Sequence, residues 1–143
     1  MAVTSFVYGK AMQTLVNKEW DYDTDTIVCA LTTSSYTPNQ DTHDYADDIT
    51  NELSGGGYAR VTVTGKTVGY TAGTNVLKLD CDDVTFSAFT AANIRYAIFF
   101  ADTGADSVSP LLSYVDFGAT LTATAQTLVV QISADGLMTF TVA

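Results

Sequence analysis

The stretch Thr120-Leu-Thr-Ala-Thr-Ala-Gln-Thr-Leu-Val-Val-Gln-Ile-Ser133 decides the fold class. Leu121, Ala123 and Ala125 alternate with Thr120, Thr122 and Thr124. A period of two puts successive side chains on opposite faces of a β-strand. The run turns fully apolar at Leu128-Val-Val130, and Asp135-Gly136 then supplies a strong two-residue hairpin signal before a closing strand, Leu137 to Val142.

Read backwards from there, the chain keeps offering strands. Leu111 to Phe117 is one, with Gly118 as a break. Ile94-Arg-Tyr-Ala-Ile-Phe-Phe100 is the most apolar and belongs in the core. Val84 to Phe86, Val76 to Asp80 and Lys66 to Tyr70 are shorter. Tyr58 to Thr64 alternates, with Tyr58, Arg60, Thr62 and Thr64 on one face and Ala59, Val61 and Val63 on the other. Thr26 to Thr32 is apolar on both faces, as a central strand is. Residues 33–57 form a long polar connection, with a helical turn expected near Asp44 to Ile49; connections this long are often functional. Thr4 to Lys18 is predicted to be a helix, with Tyr8, Ala11, Met12, Leu15 and Val16 as its apolar positions. Two readings of it stay open: a helix packed on the sheet or at its edge, or an arm that docks on a neighbouring subunit. On the arm reading, removing residues 1–18 leaves the β-core folded.

The expected architecture is one all-β domain over residues 1–143. It is a sandwich or barrel-like fold of about eight short antiparallel strands, with an N-terminal helical arm (1–18) and the long loop 33–57 inside a β-region (26–143).

Composition narrows the function. Sixteen acidic residues stand against six basic ones, a net charge of −10. So few cations cannot build a groove that tracks phosphates, and they disfavour an anionic membrane surface. The longest apolar run is far short of the roughly 20 residues of a membrane helix. Met1-Ala-Val-Thr-Ser-Phe6 lacks the basic and apolar regions of a signal peptide, so a soluble intracellular product is expected. Charge is scarce at 15%, and threonine, about one residue in six, makes up much of the polar surface.

No catalytic pattern emerges. His43 is the only histidine, and no serine nucleophile with a glycine elbow accompanies it. Asp21-Tyr-Asp-Thr-Asp25 mimics the start of a calcium loop, but Thr26 and Thr32 stand where glycine and a bidentate acid belong. Solvated or capping carboxylates are the better reading of this cluster and of Asp41/Asp44/Asp47/Asp48 and Asp80/Asp82/Asp83. Cys29 and Cys81 both fall on inward-facing positions; two buried, unreactive thiols are expected, with a disulfide between them as the alternative. Tyr58, Tyr70, Tyr96, Tyr114 and Phe86 form either a sugar-binding face or core and cross-strand pairs. No cofactor or metal is expected.

Several blocks resemble a family of small virion structural proteins of tailed bacteriophages and prophages. They are Asp23-Thr-Asp-Thr-Ile27, Ala30-Leu-Thr-Thr-Ser-Ser-Tyr-Thr-Pro-Asn-Gln-Asp-Thr-His-Asp-Tyr45, Asp82-Asp-Val-Thr85, Arg95-Tyr-Ala97 and Pro110-Leu-Leu-Ser-Tyr-Val-Asp-Phe-Gly118. Together they make up about a quarter of the chain. The chain departs from the family in a shorter segment after Gly55-Gly-Gly57 and in carrying Cys29 and Cys81 where small apolar residues are expected; the second departure strengthens the disulfide alternative.

The resemblance implies no enzyme. It implies a virion structural protein made in the host cytoplasm; a length too short for a typical major capsid protein and the acidity narrow the expected place to a capsid decoration (cement) protein on the outer head surface. That protein contacts other phage structural proteins, the major capsid protein first, as a homo-oligomer with a trimer favoured. The acidity agrees, because the DNA-filled interior would repel it. The alternatives are a tail component, either tail tube or fibre module, and a carbohydrate-binding module at the host surface. The interaction candidates are Tyr8, Met12 and Leu15 on the arm and Tyr36, Pro38, His43 and Tyr45 in the loop.

Overall fold

A computed structural model of the chain describes residues 3–143. It is mainly β, with two antiparallel sheets and one helix. The strands are β1 (Thr4–Val7), β2 (Ile27–Thr33), β3 (Val61–Thr62), β4 (Thr67–Thr71), β5 (Val76–Asp80), β6 (Val84–Ala101), β7 (Leu111–Val130) and β8 (Met138–Thr141); the helix α1 is Gly9–Val16. The larger sheet runs β1-β7-β6-β2-β3 and the smaller β4-β5-β8. Among the described residues no helix is long and apolar enough to cross a membrane.

Register builds the core. Val7, Ser113, Phe99, Cys29 and Val61 stand side by side on one face of the large sheet. Phe6, Tyr114, Ile98 and Ala30 form a row on the other. Both faces are covered, so Ile27–Thr32, Ala97–Ala101 and Leu111–Val115 are buried along their whole length. Leu79, Leu137 and Met138 bring the small sheet into the same core. An aromatic layer of Tyr8, Tyr36, Tyr96 and Tyr114, with ring centroids 5.1–6.2 Å apart, covers the second row.

Three expectations change. The predicted helix Thr4–Lys18 begins as a strand, Thr4–Val7. β-branched Thr4 and Val7 and the ring of Phe6 pair along β7, and the Tyr8 N–H donates to the Leu112 carbonyl, so helix starts only at Gly9. There the Gly9 N–H meets the Gln40 carbonyl at 2.8 Å, and a Cβ would stand 3.0 Å from that oxygen.

The two pairs of short strands on either side of residues 87–93 and Gly118 are instead two long ones. Gly118, at φ +75°, lies in a bulge: four β7 residues fit between the Ile94–Leu121 and Tyr96–Asp116 pairs against one on β6. The Asp116 carboxylate accepts the Gly118 N–H at 2.7 Å and Arg95 Nε–H at 2.7 Å, which fixes the bulge.

The strand expected over Tyr58–Thr64 shrinks to Val61–Thr62 because Arg60 has another task. Its guanidinium grips Glu52 at 2.7 Å and Asp106 at 2.8 Å and lies over the Phe100 ring. One side chain thus ties the end of the long loop to the β6–β7 connection. Arg60→Ala is expected to cost about 1–2 kcal/mol, since the group is partly solvated, and to speed amide exchange in both segments. Hydrogen bonds from Arg60 hold the Asp106 carboxyl below the usual carboxylate range. A lowered folded-state pKa means the tether is complete above the usual range and is lost as pH falls through the lowered value. The protection of the amides at residues 106–109, relative to their intrinsic exchange rates, should therefore fall in acid, and Asp106→Asn should remove that acid step.

Candidate interaction surfaces

The long loop is ordered by its own chemistry. Ala46–Asp48 forms a 3₁₀ turn, within the helical turn expected there, and backbone bonds tie the loop to Ser109 and Leu111. The Asn39 N–H donates to His43 Nδ1 at 3.3 Å, so that nitrogen is an acceptor. The Tyr36 hydroxyl reaches the same nitrogen at 3.0 Å, and the Tyr8 hydroxyl lies 2.9 Å from Tyr36. Burial pushes the Tyr36 hydroxyl up to about 12 and raises Tyr8 further. Neutral hydroxyls and the half-buried imidazole make a packed layer.

The sequence-derived candidates therefore separate. Tyr8 and Tyr36 are almost wholly buried and are withdrawn as contact residues: the rows beneath them need a cover. His43, Pro38 and Tyr45 are half-buried, and Tyr45 donates to Glu19 Oε2 at 2.6 Å. Met12 is exposed, and Leu15 is half-buried on one wall of a groove.

Cys29 and Cys81 are free thiols. Burial raises both, Cys81 to about 11, so neither is activated. The acidic clusters act as turn caps. Asp21 Oδ1 accepts the Asp23 and Thr24 N–H groups, Asp25 Oδ2 accepts that of Asp21, and Asp48 Oδ2 that of Asp44. Among the described residues no three His, Cys, Asp or Glu side chains are grouped to hold a metal ion. Phe86 and Tyr114 are buried, Tyr58 is half-buried and stacked on Phe86, and Tyr96 is half-buried edge-on to Tyr114; of the five aromatics that could face a sugar, only Tyr70 is exposed.

Two surfaces that sequence reasoning did not single out stand free. The first is a ribbon. Val84–Asn93 and Gly118–Val130 run beyond the parts of β6 and β7 that pair with β2 and β1. Gly56 closes against its β6 edge, where the Thr90 N–H donates to the Gly56 carbonyl and a Gly56 Cβ would stand 2.1 Å from the Thr90 oxygen. Among the described residues no strand pairs with the β7 edge beyond Asp116. Residues 84–94 and 117–134 contain no charged side chain, and the ribbon exposes threonine, alanine and serine. The second is a groove of about 920 Å³ between the small sheet and residues 15–25. A scan against protein-family models, a search of curated proteins and a search of solved structures each found no match.

Proposed function

We propose that this chain is a structural subunit of a tailed-bacteriophage particle: a capsid decoration protein on the outer head surface that stabilises capsomer contacts, works as a homo-oligomer (a trimer in the favoured form) and has no catalytic role. The observation that carries the reading is the charge-free ribbon on a chain of net −10. Copies this acidic repel one another wherever their carboxylates meet. The ribbon is where two copies can approach without that penalty, and its short side chains lose little rotamer entropy on contact. An open, uncharged strand edge of this length is also one that proteins usually protect, and a neighbouring subunit protects it. The resemblance of the five blocks between Asp23 and Gly118 to virion proteins suggests the particle, and the acidity favours its outer side.

One observation favours the tail alternative: a two-stranded ribbon running past its sheet suits a ring-forming tube subunit. Two measurements separate the readings. Sedimentation of the purified chain should give a closed trimer, and Thr124→Asp, which places a carboxylate on the exposed ribbon, should dissociate it. A six-membered ring supports the tail instead, and a monomer overturns assembly through the ribbon. Labelling of intact particles with antibody to the chain should mark the head exterior. Label on the tail overturns the head placement, and unlabelled particles overturn the virion reading.

A further inference from the structure

The groove beneath the small sheet is open, apolar in its floor and acidic at its rim. Val68↔Leu79 and Tyr70↔Leu77 pair across β4 and β5, and Leu77↔Phe140 across β5 and β8, so these side chains share one face. Leu79 and Met138 are buried where that face meets the core. Further out the face is uncovered: Val68 is 48% and Tyr70 55% exposed. Leu15 and Trp20 form the opposite wall. Around them stand Glu19, Asp21, Asp23 and Asp25 against one lysine of the lining, Lys18. Lys66 ends nearby, but its ammonium is held by the Tyr22, Asp23 and Asp25 carbonyls, which also stiffens the acidic turn. Next to the groove, β4 pairs only with β5, and all five of its residues are exposed.

We infer that this groove and the free edge of β4 form a docking site for an extended segment of a different protein, whose groove-facing side, made by every second residue, carries both apolar side chains and lysine or arginine. The apolar residues of such a segment cover Val68, Leu77 and Phe140. Its cations face the four carboxylates, and its backbone adds a strand to β4. A second copy of this chain does not fit. It has six cations in all. Arg60, Arg95 and Lys78 are in ion pairs and Lys66 is held by carbonyls, which leaves Lys10 and Lys18, neither in a strand. The charge balance thus selects a basic partner, and the face geometry an extended one.

The test is a titration of the isotope-labelled full chain with a synthetic peptide that carries valine and lysine in turn at every second position, with threonine between them, against the same peptide with glutamate for lysine. Saturable shifts confined to residues of the groove and β4, weakened by salt, are expected from the lysine peptide alone. Val68→Asp and Asp23→Lys change exposed positions whose side chains hold no intramolecular bond, so both variants should keep the parent melting temperature. Each should bind about tenfold more weakly. Equal binding of the glutamate peptide, unchanged affinity in both variants, or shifts elsewhere on the molecule would each overturn the inference, as would no binding at all. The inference does not rest on the particle assignment, and the two tests fail independently.

Discussion

Deleting residues 1–18 is expected to abolish cooperative folding, not to trim an arm from a folded core. β1 is the edge of the large sheet and pairs with β7 from Thr4↔Asp116 to Val7↔Ser113. Tyr8 and Ala11 are completely buried, and Thr14 nearly so. Losing Tyr8 alone removes a large buried ring, at about 3–5 kcal/mol. The deletion also removes Phe6 from its stack on Tyr114, frees the Leu112 and Gln40 carbonyls, and leaves the Trp20 indole N–H without either acceptor. Domains of this kind are held by about 5–15 kcal/mol in total, so the losses together consume most or all of that margin. Thermal melting by circular dichroism and amide shift dispersion check this. A truncated chain with a cooperative transition within a few degrees of the parent would restore the arm reading. A deletion that unfolds the chain also fails to assemble, so loss from particles in such a variant says nothing about a docking arm. The surface variants Thr124→Asp and Val68→Asp are the informative ones.

What was readable in the sequence follows from how local each signal is. β5 was predicted with its observed bounds, because Val76-Leu-Lys-Leu-Asp80 is delimited by turn residues at Thr74-Asn75 and by Asp82-Asp83. The ends of β6 and β7 were found for the same reason. Their continuity was not. Ser87-Ala-Phe-Thr-Ala-Ala-Asn93 has small residues with no clear period, and only pairing with β7 makes it a strand. Gly118 reads as an end in sequence and lies in a bulge in the sheet, since a positive φ serves either. β1 is a harder case: its partner lies more than 100 residues away, and Phe6, Val7 and Tyr8 satisfy a helical template as well as an edge strand.

The surfaces were less legible than the fold. Tyr8 and Tyr36 looked like contact residues because aromatic side chains in a polar loop or an amphipathic arm resemble an interface; whether the molecule itself covers them is a tertiary fact. Val68, Leu77 and Phe140 were assigned to strands, but the face they share emerges only once β4, β5 and β8 are in register. The ribbon's signal was present throughout, as two long runs without charge in a chain of net −10. The same letters read as strands, and a missing charge has no period that marks it as a surface.

Trp20, the one tryptophan, was hidden between Glu19 and Asp21, and the second large effect is expected there. Its ring is 3% exposed, and its indole N–H donates to the Ala11 carbonyl at 3.2 Å and to Thr14 Oγ at 3.0 Å. Thr14 Oγ in turn donates back to the helix, toward the Lys10 and Ala11 carbonyls at 3.1 Å. The indole therefore anchors a helix of only eight residues, too short to persist unaided. Trp20→Ala should cost about 3–5 kcal/mol and lower Tm by roughly 10 °C or more. Trp20→Phe keeps most of the packing but drops the donor; Thr14 Oγ keeps its own donation, so the loss should be only about 1–2 kcal/mol. Equal losses in the two variants would mean that the hydrogen bonds, not the ring's bulk, seat the helix. Because Trp20 also walls the groove, Trp20→Phe should bind the lysine–valine peptide nearly as the parent does. Trp20→Ala, compared below its lowered transition, should bind it more weakly, since the wall that Leu15 and Trp20 build together would be gone.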